Sequence, residues 1–196
     1  MTAPVLTKRI RYDTGQNFFW DDDRFPALGA GLDNASGRID YDFTECAVGY
    51  QANARYPNEP LCIAAQNSHK WMLRTEVRPH LHWVQAQAAV PNWLMQYRIW
   101  ENGAVKPAWV LQAYDATVFT YPGAGEICQI TTFPNIDMSA VDSVSCFIDI
   151  RIFRDSANTS TLFAGADPVA TVVLLKEYDH HRPEDGPGSV TEFRKT

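Results

Sequence analysis

The chain has 196 residues, enough for one well-buried core, and its 45% hydrophobic and 20% charged residues are a globular balance rather than a disordered one. The formal net charge is −6 and no run of Lys or Arg stands out, which argues against nucleic acid as a partner, because such a site needs a basic footprint to displace counterions. No stretch approaches the ~18–20 consecutive apolar residues of a membrane helix. Residues 1–9 also lack the apolar segment of a signal peptide, so synthesis in the cytoplasm is expected, with lysis as the only way out.

In chain order, residues 1–40 read as an N-terminal arm and loop-rich segment. It carries Phe18, Phe19, Trp20 and Phe25 beside the acidic run Asp21-Asp22-Asp23. Large aromatics in a segment too short for its own core predict that residues 1–25 dock on another chain, the alternative being a staple across their own domain. Strands are predicted at 43–51 and 61–66. In the strand predicted at 75–87, Val77, Leu81 and Trp83 face one side and Glu76, Arg78, His80 and His82 the other. In the next, at 93–101, Trp93, Met95, Tyr97 and Ile99 oppose Leu94, Gln96, Arg98 and Trp100. Residues 88–92 are turn-like, so these two strands are expected to pair as a hairpin.

Asn102-Gly103 supplies a turn into a strand at 107–114. Further strands are expected at 117–121, 126–133, 143–153 and 169–178, with a short helical turn near 137–142. Gly, Pro, Asn and Asp punctuate the gaps. Many short period-two segments, and none with a 3.6-residue period, predict an all-β chain: an antiparallel, jelly-roll-like β-sandwich over 41–180. Residues 181–196 read as a polar C-terminal tail, so the sandwich is expected to carry extended arms at both ends.

Little points to chemistry. Cys46, Cys62, Cys128 and Cys146 lie singly in apolar or alternating runs, as small buried thiols do in a reducing compartment. His80 and His82 project together from one strand and could chelate a transition metal if a third ligand came from another strand. This His-x-His is similar to the cupin motif, but that motif continues to a Glu about four residues on, within flanking glycines. Here position 86 is Ala, and no glycine follows until Gly103. The expected reading is a polar strand face with hydrogen-bonded imidazoles, no metal and no cofactor. Acid would strain such a face, since two charged rings beside Arg78 repel.

His180 and His181 are adjacent and point to opposite faces of an extended strand, so they cannot share a metal. The Asp21-Asp22-Asp23 run lacks the alternating ligands of a calcium loop and reads as solvated. No nucleophile elbow, phosphate loop or dinucleotide fingerprint is present, so no catalytic residue is assigned.

Three segments together resemble a family of tailed-bacteriophage virion proteins. Trp20-Asp21-Asp22-Asp23-Arg24-Phe25-Pro26 is similar to their Trp-Asp-Asp-x-Arg-Phe-Pro opening. Arg78-Pro79-His80-Leu81-His82-Trp83, followed by Gln96-Tyr97-Arg98-Ile99-Trp100, resembles their Pro-His-x-His-Trp strand and its aromatic partner. Leu174-Leu175-Lys176-Glu177-Tyr178-Asp179-His180-His181, with Gly188-Ser189 and Glu192-Phe193, resembles their closing strand and tail. The departures are the Arg before Pro79 and a short segment between Gly29 and Asp42.

The resemblance implies a non-enzymatic structural protein of the virion, a head-fibre, neck or tail-appendage subunit. It further implies a symmetric homo-oligomer, with a trimer favoured and other virion proteins as partners. The expected contacts are Phe18, Phe19, Trp20, Phe25, Glu76, Arg78, His80 and His82. The six Trp motivate an alternative, a carbohydrate-binding sandwich at a receptor-binding tip; a cupin-like metal enzyme is the third reading.

Overall fold

The computed structural model describes residues 19–32, 37–66, 70–87, 89–115, 127–143 and 145–184. Among them run eleven strands: β1 (Phe19–Pro26), β2 (Gly31–Leu32), β3 (Ile39–Asp42), β4 (Ala47–Tyr50), β5 (Leu61–Gln66), β6 (Arg78–Gln85), β7 (Trp93–Glu101), β8 (Val110–Ala113), β9 (Ile127–Thr132), β10 (Cys146–Arg154) and β11 (Val173–Glu184). The alternation that predicted strands also decides which face goes inward. On β10, Cys146, Ile148, Ile150 and Ile152 are buried, while Phe147, Asp149 and Arg151 alternate with them on the half-buried face.

All pairings are antiparallel and form two sheets, one in the order β3-β4-β11-β6-β9 with β1 also on β11, the other in the order β2-β5-β10-β7-β8. From β4 to β11 the pairs are nested: β4 with β11, β5 with β10, β6 with β9, β7 with β8. That is the winding of a jelly roll, a long antiparallel ribbon rolled into two packed sheets. β1, β2 and β3 are additions to its edges.

The predicted β6–β7 hairpin does not form. The two strands lie in opposite sheets, and the turn-like residues between them carry the chain across the sandwich. Packing is the physical reason, because Trp83 and Trp93 are both fully buried and meet across the core with ring centroids 6.3 Å apart. Tyr50 crosses the same gap: its ring stands edge-on to Trp93 at 5.3 Å, and its hydroxyl donates to the Ile152 carbonyl at 3.0 Å. Burying these aromatics on facing sheets removes more apolar surface than a two-stranded ribbon could.

Residues 19–26 and 181–184, expected to belong to arms, are part of the larger sheet. β1 pairs with β11 of its own chain from Phe19↔Glu184 to Pro26↔Glu177, and the expected boundaries at 41 and 181 both fall inside strands of that sheet, β3 and β11. Phe25 packs within this chain, with its ring 6.0 Å from Tyr178 and 5.8 Å from His180. Phe18, the strand expected at 117–121 and the tail beyond Glu184 lie outside the described residues, as do the side chains of Phe19 and Trp20.

Within residues 137–142 one hydrogen-bonded turn forms where a short helical turn was expected: Val141 N–H donates to Met138 O at 3.0 Å, and the Asp137 carboxylate accepts from Ser139 N–H at 2.8 Å. Of the cysteines only Cys146 is buried, so the expectation of four core thiols fails. Cys46 and Cys128 are exposed because they fall on solvent-side positions.

Candidate functional site

The site is built on β11, the strand at the centre of the larger sheet. β6 pairs with one edge of β11, while β4 and then β1 occupy the other edge in succession. A register shift between Leu175 and Glu177 marks a β-bulge, and this bulge decides the chemistry. Leu175 and Tyr178 both face the core, three residues apart, so strict alternation is broken by one residue. Without the bulge, Asp179 and His181 would share the inward face of Leu175. With it they turn outward, onto the face of His80 and His82.

The outer row reads across three strands. Asp179 stands opposite His80, Glu177 opposite His82, and His181 opposite Asp22. Asp179 and His80 are buried, while His82 is a quarter exposed. Asp179 Oδ2 lies 3.3 Å from His82 Nε2, and Oδ1 lies against His80 Nε2. Oδ1 nevertheless has no well-aligned hydrogen bond. Burial alone would push the Asp179 carboxyl up, but the two imidazoles and their charge outweigh it and hold the group at about 2. The Asp179 contact in turn raises His82 above its usual value against the effect of burial.

On the far side of Asp179, His181 Nε2 pairs with Asp22 Oδ1 at 2.9 Å, and burial holds His181 below its usual value despite that carboxylate. The nearest arginines have carboxylate partners. Arg78 donates to Glu76 at 2.7 and 2.9 Å, and Arg24 to Glu177 at 2.8 and 3.0 Å.

The inner row is a second polar cluster. Arg182, almost fully buried, donates through Nε to Asp23, through Nη1 to Glu184 at 2.6 Å and through Nη2 to Asp23 at 3.1 Å, with Asp21 at 3.4 Å. His180 is fully buried, with Nδ1 3.1 Å from the Tyr178 hydroxyl and Nε2 3.4 Å from Asp23.

Of the expected residues, the fold keeps His80 and His82 together on one face and adds Asp179 between them. Glu76 and Arg78 pair with each other at the exposed start of β6, where Arg78 also stands across the ladder from His181. The acidic run is not a solvated loop. It is a strand whose alternate carboxylates serve two faces, Asp22 outward to His181 and Asp21 and Asp23 inward to Arg182. The opposition of His180 and His181 holds as expected, one inward and one outward. A carboxylate, Asp179, lies between the His80 and His82 rings. Asp179 was missed because its orientation depends on the bulge, which alternation cannot show.

Compared with known proteins, the chain matches no family profile and no curated sequence.

Proposed function

We propose that the chain is a non-enzymatic structural subunit of a tailed-phage virion, a head, neck or tail-appendage component that works through protein–protein contacts. The observation that carries the reading is the convergence of the three resemblance-bearing segments. Far apart in sequence, residues 20–26, 78–83 and 174–181 of these segments lie on β1, β6 and β11 of one sheet, with β11 between the other two, while the 96–100 part lies on β7 of the facing sheet. A motif set that forms one physical unit is better explained by a shared architecture than by three unrelated coincidences.

Jelly rolls also serve as lectins and cupins, so the fold by itself does not select among these. Two observations weigh against the alternatives. His80 and His82 face away from the core, whereas a site enclosed within the sandwich would need them on the side of Leu81 and Trp83. The tryptophans that motivated a glycan platform are largely spent: Trp71, Trp83 and Trp93 are fully buried, and Trp109 lies under Arg98 and Arg151 at 4.1 and 4.2 Å.

On this reading the protein is made in the bacterial host cytoplasm and ends in the virion, as a homo-oligomer for which we favour a trimer. The test is quantitative mass spectrometry of purified particles from a lysate of the encoding cell, with light scattering of the isolated chain. Peptides of this chain at a fixed copy number per particle support the reading, and their absence from intact particles overturns it. A monomer at micromolar concentration removes the trimer.

A further inference from the structure

We propose that His80, His82 and Asp179 bind a divalent transition-metal ion of the zinc class on the outer face of the larger sheet. This goes beyond the virion reading and does not depend on it. The donor set selects the ion: two imidazoles and one carboxylate suit zinc and its borderline neighbours, whereas calcium and magnesium favour all-oxygen shells.

The spacing is already close to that of a coordination sphere. One donor atom from each residue lies within 4.8 Å of the other two. A tetrahedral ion at ~2.0–2.1 Å from each ligand sets neighbouring ligand atoms about 3.3 Å apart. The His82–Asp179 separation is 3.3 Å, and the closer His80–Asp179 contact has only to open.

The scaffold holds the ligands before the ion arrives. His80 and His82 share one strand, and Asp179 sits directly across the β6–β11 ladder from His80. Asp179 and His80 are 3% and 7% exposed, so little water competes. Asp179 Oδ1 is buried against His80 Nε2, and a cation between the two atoms would replace that close contact with two metal bonds. Access comes from the exposed edge of His82 and from a recess of about 260 Å³ beside His80, lined also by Arg78, Ile130, Thr132 and His181.

Full-length protein stripped with a chelator and titrated with zinc in a calorimeter tests the site, with cobalt substituted for its visible spectrum. Saturable binding is expected, insensitive to millimolar magnesium or calcium, with cobalt bands of a histidine-ligated, low-coordinate ion and a raised melting temperature. His82→Gln and Asp179→Asn should each weaken binding by about tenfold or more, while Asp142→Asn, on an exposed ion pair with Arg74, leaves it unchanged. If Asp179→Asn fails to fold, His82→Gln decides, because its side chain is partly in solvent. Absence of saturable zinc uptake, or uptake equal to the parent's in His82→Gln, overturns the proposal and leaves Asp179 as a carboxylate that bridges two imidazoles.

Discussion

Arg154 is fully buried, and its guanidinium donates from Nε to Asp167 at 2.8 Å, from Nη1 to the carbonyls of Tyr50 and Thr171 at 3.0 and 2.7 Å, and from Nη2 to the Val169 carbonyl. Only a planar fork with five donors can serve so many acceptors at once. The residue thereby ties the end of β10 to β4 and to the loop that leads into β11. Arg154→Ala would leave the Asp167 carboxylate, whose side chain is 1% exposed, as a buried charge without this partner. The expected cost is about 3–5 kcal/mol, read as a lowered urea midpoint at constant slope. Nothing in the sequence marks this arginine, since its acceptors are carbonyls that only the fold brings to it.

At the scale of elements, β1 is held to β11 by backbone pairing, by the Phe25 ring and by Asp23 on Arg182 and His180. Burial would raise the Asp23 carboxyl, but its contacts with His180 and Arg182 win and depress it below the usual 3.8. A depressed carboxylate contributes stability that is present above its ordinary value and lost as pH falls through the folded one. β1 should therefore loosen below about pH 4, visible as amide protection factors that fall at residues 19–26, and the β6–β11 pairing around Asp179 weakens as pH approaches about 2. In Asp23→Asn that acid transition should vanish, because the strand is already weakened at neutral pH. Phe25→Ala should destabilise the isolated chain by about 1–3 kcal/mol. An unchanged stability with failed assembly would return Phe25 to the role of an intersubunit contact.

For the whole molecule, the nested pairing means that the last of the described strands, β11, is the middle of its sheet. β11 touches β1, β4 and β6, so its absence would strip hydrogen bonds and core contacts from both sides at once. A chain that stops at Val172 should show no cooperative thermal transition by circular dichroism, whereas losing an edge strand such as β2 should cost far less. Pairings such as Val48↔Leu175 close very long loops, so refolding of the full chain should fall in the millisecond-to-second range or slower, followed by tryptophan fluorescence.

Local chemistry alone determined the all-β class and most strands. Period-two alternation at 61–66, 93–101 and 143–153 reflects a half-buried sheet, and β5 has the limits read from it, Leu61–Gln66. The pairing of His80 with His82 was legible for the same reason, since residues two apart on a strand share a face. Three features were decided only by the tertiary structure. Turn-like residues after β6 could have closed a hairpin, but burial of Trp83 against Trp93 sent the chain to the opposite sheet. The segment around Asp21-Asp22-Asp23 looked like a solvated arm because its partners, Arg182 and His181, lie at the other end of the chain. Asp179 joined the histidines because an unpaired residue in β11 inverted the strand's faces, and a bulge forms in answer to the neighbouring strands rather than to the local sequence.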